Sequence, residues 1–226
     1  MSKLEILDAP SFAPNQNPKK LIFMLHGYGD NADNFIHIAN SLYINELKIN
    51  FFALNAPFEV PNYPMGRQWF DLYPNGIYIA EAGNKEKKII LSEINLAVKK
   101  IIESINFIKD KFGLKLSDCL VLGFSQGGMM TFELGHYSRE KFGGLAILSG
   151  KILTEKKIQN KIFINTPLFI SHGNKDDVLS VENFYKACEF LKENNFNYQQ
   201  YLIEEDSHTI SLKAIDLLQE FIKKNL

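Results

Sequence analysis

The residue best suited to chemistry is Ser125, which sits in the run Gly123-Phe124-Ser125-Gln126-Gly127. Glycine-x-serine-x-glycine alone is a weak signal, because both residue types are common. Its setting strengthens it: the apolar stretch 119–122 leads in, and a helical pattern follows from Gln126. Strand, sharp turn and helix make a nucleophile elbow, which lifts a serine hydroxyl above the sheet. The glycines permit a strained turn and let the helix approach the strand. The backbone N–H of Gln126, just past the serine, then stands where a developing oxyanion needs a donor.

A serine hydroxyl needs a base within hydrogen-bond reach. The candidates are His26, His37, His136, His172 and His208. His136 falls eleven residues beyond Ser125 in the same helical pattern, roughly 16 Å along its axis at the α-helical rise, and is out of reach. His37 sits mid-helix. His26 and His172 each close an apolar run before a glycine, where a structural hydrogen bond is the plainer role. His208 lies between a strand pattern and the last helix, and it comes last. That fits the order serine, acid, histidine that accompanies this elbow.

The base in turn needs an acid to fix its tautomer. His172-Gly173-Asn174-Lys175-Asp176-Asp177 follows a buried strand and offers two adjacent aspartates. Adjacent side chains point in different directions, so at most one of the pair faces His208, and the other suits the start of the following helix; Glu204, Glu205 and Asp206 are rivals too near His208 in the chain for the role. Residue type alone does not choose between them. A second oxyanion donor is expected from the glycine-rich loop Leu25-His26-Gly27-Tyr28-Gly29-Asp30, with Asp30 also suited to cap a helix.

The elements that must position these groups alternate. Short apolar runs at 21–25, 50–54, 119–123, 145–148, 168–171 and 198–203 read as strands, most of them buried on both faces. Helical spacing is predicted over 32–43, 86–112, 126–141, 180–194 and 207–225, with Gly113 closing the longest. Strands alternating with helices predict an α/β layer structure with a mostly parallel sheet. Residues 57–83 break the rhythm, yet carry Met65, Trp69, Phe70, Leu72, Tyr73, Ile77 and Tyr78. Long irregular loops in compact domains are usually functional. This one is expected to form an apolar flap beside Ser125, with Trp69 largely structural and the tip at 72–78 mobile.

At 226 residues and 46% hydrophobic, the chain can bury a core and is read as one domain, 1–226. A net charge of −1 argues against a nucleic-acid partner. Residues 1–5 lack the apolar core of a signal peptide, and no run is long enough to span a bilayer. The two cysteines, Cys119 and Cys188, read as buried free thiols of a cytoplasmic protein. No His, Cys and acidic cluster has the spacing of a metal site, so no metal or cofactor is implied.

The motifs Leu25-His26-Gly27-x-Gly29-Asp30, Asn55-Ala56-Pro57, Trp69-Phe70-Asp71, Gly123-Phe124-Ser125-Gln126-Gly127-Gly128, Leu148-Ser149-Gly150 and His172-Gly173-x-x-Asp176 occur in that order. Together they resemble the carboxylesterase, lysophospholipase and acyl-protein thioesterase family of α/β-hydrolases. The resemblance implies Ser125 as nucleophile, Asp176 as acid and His208 as base, with Leu25 and Gln126 supplying oxyanion-hole amides. It implies a serine hydrolase that cleaves carboxylic esters or thioesters through an acyl-enzyme. Trp69, Leu72, Tyr73 and Ile77 are the expected substrate-binding residues. The expected partners are a small-molecule or lipid acyl ester or an acylated protein, a membrane surface touched transiently through 57–83, and at most a second copy of the chain. The rival reading is a hydrolase-fold protein that binds lipid or acyl ligands without turnover. The sequence departs from the family pattern at Asp177, Ser180 and the residues just before His208.

Overall fold

A computed structural model describes residues 6–153 and 158–226. The reading of residues 1–5 lies outside them. The predicted apolar runs become β2 (Lys20–Leu25), β3 (Ile49–Leu54), β6 (Cys119–Phe124), β7 (Gly144–Leu148), β8 (Leu168–Gly173) and β9 (Tyr198–Ile203). With a two-residue strand β1 (Ser11–Phe12) they form one sheet in the order β1-β3-β2-β6-β7-β8-β9. Only β1 runs antiparallel, against β3. β6, which carries the elbow, stands at the centre.

Side-chain alternation divides the strands between two cores. Leu21, Phe23 and Leu25 face one layer; Ile22 and Met24 face the other. The first layer holds α3 (Asn84–Lys111), α4 (Gln126–Tyr137) and α6 (Glu182–Glu193). The second holds α7 (Leu212–Asn225) and the short α1 (Ala32–Phe35) and α2 (Ala39–Leu42). In α7, Leu218, Phe221 and Ile222 are buried at helical spacing, each contributing about 1.5–3 kcal/mol of apolar transfer.

Several boundaries differ from the sequence expectation, for local reasons. The helix predicted over 32–43 is two four-residue turns joined by a tighter turn, Ile36–Ile38. α4 stops at Tyr137 because Ser138 turns extended and bonds its hydroxyl to the Glu140 carbonyl at 2.7 Å. α7 starts only at Leu212, where the Ser211 hydroxyl accepts the Ala214 N–H at 3.2 Å. That late start leaves His208 on open loop. A four-residue helix α5 (Lys161–Ile164) and strand β1 are too short to show any periodicity.

The irregular stretch 57–83 is partly ordered. It contains an antiparallel hairpin of β4 (Phe58–Val60) and β5 (Tyr63–Gln68), then two tight turns, Pro74–Gly76 and Ile79–Glu81. The hairpin hides because Pro64 sits inside β5, where proline normally demotes a strand. Asn62, with φ of 62°, makes its turn.

The closest packing lies where α4 meets the sheet. A Cβ on Gly127 would fall onto the Leu25 carbonyl, and one on Gly123 onto the Gly127 carbonyl. Gly127→Ala is therefore expected to cost about 2–3 kcal/mol through overpacking, a Tm loss of roughly 4–12 °C for a chain of this size. Thermal unfolding of the purified variant checks this; an unchanged Tm would mean that the helix can step back freely.

Candidate active site

Ser125 caps α4 with φ 53° and ψ −117°, a backbone conformation that non-glycine residues rarely adopt. It is held there from both sides: its N–H donates to the Leu148 carbonyl at 2.9 Å, and its carbonyl accepts from Met129 at 3.1 Å. The strained turn makes Ser125 half-buried and lines it on a cavity of about 700 Å³. His208 lines the same cavity, its ring 4.8 Å from that of Phe124 between centroids.

His208 Nδ1 lies 2.7 Å from Asp176 Oδ2, thirty-two residues earlier in the chain. The Asp176 side chain is fully buried. Burial alone would raise its carboxyl. The His208 hydrogen bond, with N–H groups of Leu179 at 2.7 Å and Val178 at 3.0 Å on Oδ1, outweighs it and holds the group below the ordinary carboxylate range. An ionised Asp176 can only accept, so His208 carries its proton on Nδ1 and leaves Nε2 free to take another. Asp177 is exposed, and α6 begins too late for it to act as a helix-start residue.

The two histidines read as structural, His172 and His26, each hold a loop that borders the site. His172 is buried; its Nε2–H donates to the Leu179 carbonyl at 2.7 Å and lies 3.3 Å from Asp176 Oδ2. It thus clasps the turn that presents the acid. His26 accepts the Ala56 N–H at Nε2, 3.1 Å, and so donates from Nδ1 to the Gly27 carbonyl at 2.7 Å. Burial lowers its pKa, consistent with a neutral ring. His37 and His136 are exposed and away from the cavity.

Of the two expected oxyanion residues, Gln126 lines the cavity and Leu25 does not. Leu25 is the last residue of β2, fully buried and in register with Leu54 and Gly123. Gly27 and Tyr28 do line the cavity. Because a trans peptide sends its C=O and N–H opposite ways, the bond from His26 to the Gly27 carbonyl turns the Tyr28 N–H away from the buried ring. That N–H has no acceptor among the described residues. Gln126 N–H is likewise open, as the first donor of α4.

Of the expected substrate residues, Leu72 and Tyr73 line the cavity. Ile77 does not, and Trp69 is fully buried elsewhere: its indole N–H donates to the His26 carbonyl at 2.9 Å. Periodicity could not separate them, because the segment has none. The remaining wall comes from Met129, Leu153, Val178 and Leu179, which sequence reading missed because three different elements supply them. Among the described residues no cluster of His, Cys, Asp or Glu could hold a metal ion.

A mostly parallel sheet with a serine at a strand-to-helix elbow defines the α/β-hydrolase class. Within it, the sequence profile of the phospholipase/carboxylesterase family matches residues 11–226, and the chain belongs to that family of carboxylic ester hydrolases. Similar proteins include acyl-protein thioesterase 1 of Emericella nidulans, 30% identical and covering 90% of this chain and 89% of that one. The Candida albicans protein of the same name is 26% identical, over 93% and 94%. Among solved structures, esterase PE8 superposes with a TM-score of 0.85 at 24% identity, over 98% and 100%, a likeness of fold. SOBER1 of Arabidopsis thaliana does so at 0.77 and 25%, over 91% and 98%.

Because folding favours the ionised form of Asp176, its contribution to stability is present above the ordinary carboxylate pKa, about 3.9. It is lost as pH falls through the lower folded-state value. Asp176→Asn should therefore be less stable than wild type near neutrality, with the gap closing as pH drops below about 4. Urea unfolding of both proteins across that range measures it; a gap independent of pH would refute the linkage.

Proposed function

We propose that Ser125, His208 and Asp176 act as nucleophile, base and acid in hydrolysing carboxylic esters or thioesters through an acyl-enzyme. The observation that carries the reading is the 2.7 Å contact from a buried, fourfold-contacted Asp176 to Nδ1 of His208, which lines the same cavity as Ser125. Ser125 Oγ attacks the carbonyl carbon while its proton passes to His208 Nε2. The N–H groups of Tyr28 and Gln126 receive the developing oxyanion. Collapse breaks the bond to the alcohol or thiol, which leaves with the proton from His208. Water then attacks the acyl-enzyme by the same route, freeing the acid and Ser125.

The substrate side follows from the wall. Leu72, Met129, Leu153 and Leu179 offer apolar surface for an acyl chain, with the Tyr73 and Tyr78 rings 5.3 Å apart and tilted by 40° beside them. Together with relatives named acyl-protein thioesterase, this supports lipid acyl esters and acylated proteins as the substrate class. Exposed Tyr63, Met65, Tyr73, Ile77 and Tyr78 on the same stretch favour brief contact with a lipid surface. No helix among the described residues is long and apolar enough to cross a membrane. Cys119 and Cys188 are free thiols, which suits a cytoplasmic protein; burial pushes them up to about 12 and about 11, so both are poor nucleophiles. We read residues 1–226 as one catalytic unit.

A fluorophosphonate probe should label the wild type and not Ser125→Ala, whose kcat on p-nitrophenyl butyrate should fall by about 10⁴ or more. Asp176→Asn should lose on the order of 10³–10⁴. An unlabelled wild type without turnover would favour a binding protein instead. In a p-nitrophenyl ester series, Leu72→Ser and Tyr73→Ser should each lower kcat/KM about 10-fold for long chains, a loss of about 1–2 kcal/mol of apolar contact, and leave acetyl esters within about twofold. Equal losses along the series would place the acyl chain elsewhere.

A further inference from the structure

The two N–H groups assigned above to the oxyanion stand on different elements, Tyr28 on the loop after β2 and Gln126 on the first turn of α4. One residue bonds to both elements. Trp69 donates its indole N–H to the His26 carbonyl at 2.9 Å and its backbone N–H to Gln126 Oε1 at 2.8 Å. Gln126 Nε2–H returns a bond to the Phe70 carbonyl at 2.8 Å, so the Gln126 side chain grips the Trp69–Phe70 backbone at two points. On the other side, the His26 ring packs against the indole at 5.4 Å and holds the Gly27 carbonyl that orients the Tyr28 peptide. Trp69, Phe70 and His26 are all fully buried, and Gln126 nearly so.

We infer that Trp69 is a positioning residue for the oxyanion hole, fixing the distance between its two amides through the carbonyl of His26 and the side chain of Gln126. The inference rests on the assignment of those two amides under the proposed function. Oxyanion donors work only within about 2.7–3.1 Å of the charge they receive, and preorganisation is what makes them effective. The packing of Gly127 against Leu25 and His26 already brings the two elements together, and a rigid strut braces that junction. Here the strut is a chain of hydrogen bonds in a dry interior, where each bond is directional and a broken one leaves a buried polar group unpaired. Any buried tryptophan needs an acceptor for its indole N–H, but here that acceptor is the carbonyl just before Gly27, and the side chain that meets its backbone belongs to Gln126, the residue after Ser125. The same segment continues into Leu72 and Tyr73, so the wall of the acyl cavity and the strut share one backbone.

Trp69→Phe removes the indole N–H and keeps an aromatic ring and the backbone bond to Gln126. Its kcat on p-nitrophenyl butyrate, measured well below its Tm, should fall about 10- to 100-fold with KM within about twofold. The Ki of an alkyl trifluoromethyl ketone, which adds to Ser125 as a charged hemiketal, should rise by the same factor as kcat/KM falls. A lowered Tm with kcat and Ki unchanged, or a rise in KM alone, would make Trp69 a packing residue and overturn the inference. Should Trp69→Phe fail to fold, Gln126→Met decides by the same readings, since it keeps the Gln126 N–H and deletes only its grip on the Trp69–Phe70 backbone. Retained turnover in Ser125→Ala would instead strike at the proposed function itself, independently of either variant.

Discussion

The site depends on a lack of room. Where α4 descends on β2 and β6, the backbones come so near that a single added carbon at Gly123 or Gly127 would strike a carbonyl. That approach brings the N-terminus of the helix to the sheet and forces Ser125 into its left-handed conformation. The strain is confined by hydrogen bonds to Leu148 and from Met129, so it persists rather than relaxing. A looser junction would let the serine settle into ordinary geometry and withdraw from the cavity.

Around that junction the protein spends buried polar groups freely but leaves few unpaired. Asp176 is contacted by two histidines and two backbone N–H groups, and His26 bonds at both ring nitrogens. Each bond also fixes a loop: His172 the turn after β8, His26 the turn after β2, Gln126 the segment after β5. Loops at the carboxyl edge of a parallel sheet are short of apolar anchors, and these interior contacts do for them what packing does for the strands. The framework is therefore as much electrostatic as hydrophobic.

Five of the six strands were legible because runs buried on both faces can contain little but apolar residues; the half-exposed β9 showed instead through Tyr198, Tyr201 and Ile203. Ser125 was legible for a related reason: its glycines answer a steric need that shows in residue type. His208 could be found by elimination and chain order. Asp176 could not be told from Asp177 by type or position, since neighbours of one kind differ only in where they point; the family resemblance made that choice. Leu25 was expected as the donor opposite Gln126 but lies off the cavity, because the direction of a peptide N–H is not written in the residue that bears it. It follows from what holds the preceding carbonyl, here the ring of His26. Trp69 and Ile77 were grouped with Leu72 and Tyr73 because an aperiodic segment gives no inward and outward face.

Trp69 is also the only tryptophan of the chain. Its indole is sealed against a histidine ring and bonded to a carbonyl one residue from the site's glycine turn. The tryptophan emission of the protein therefore arises from a single fluorophore lodged beside Ser125's neighbour Gln126, and any ligand or solvent change that disturbs this framework is written into its colour and lifetime without a label.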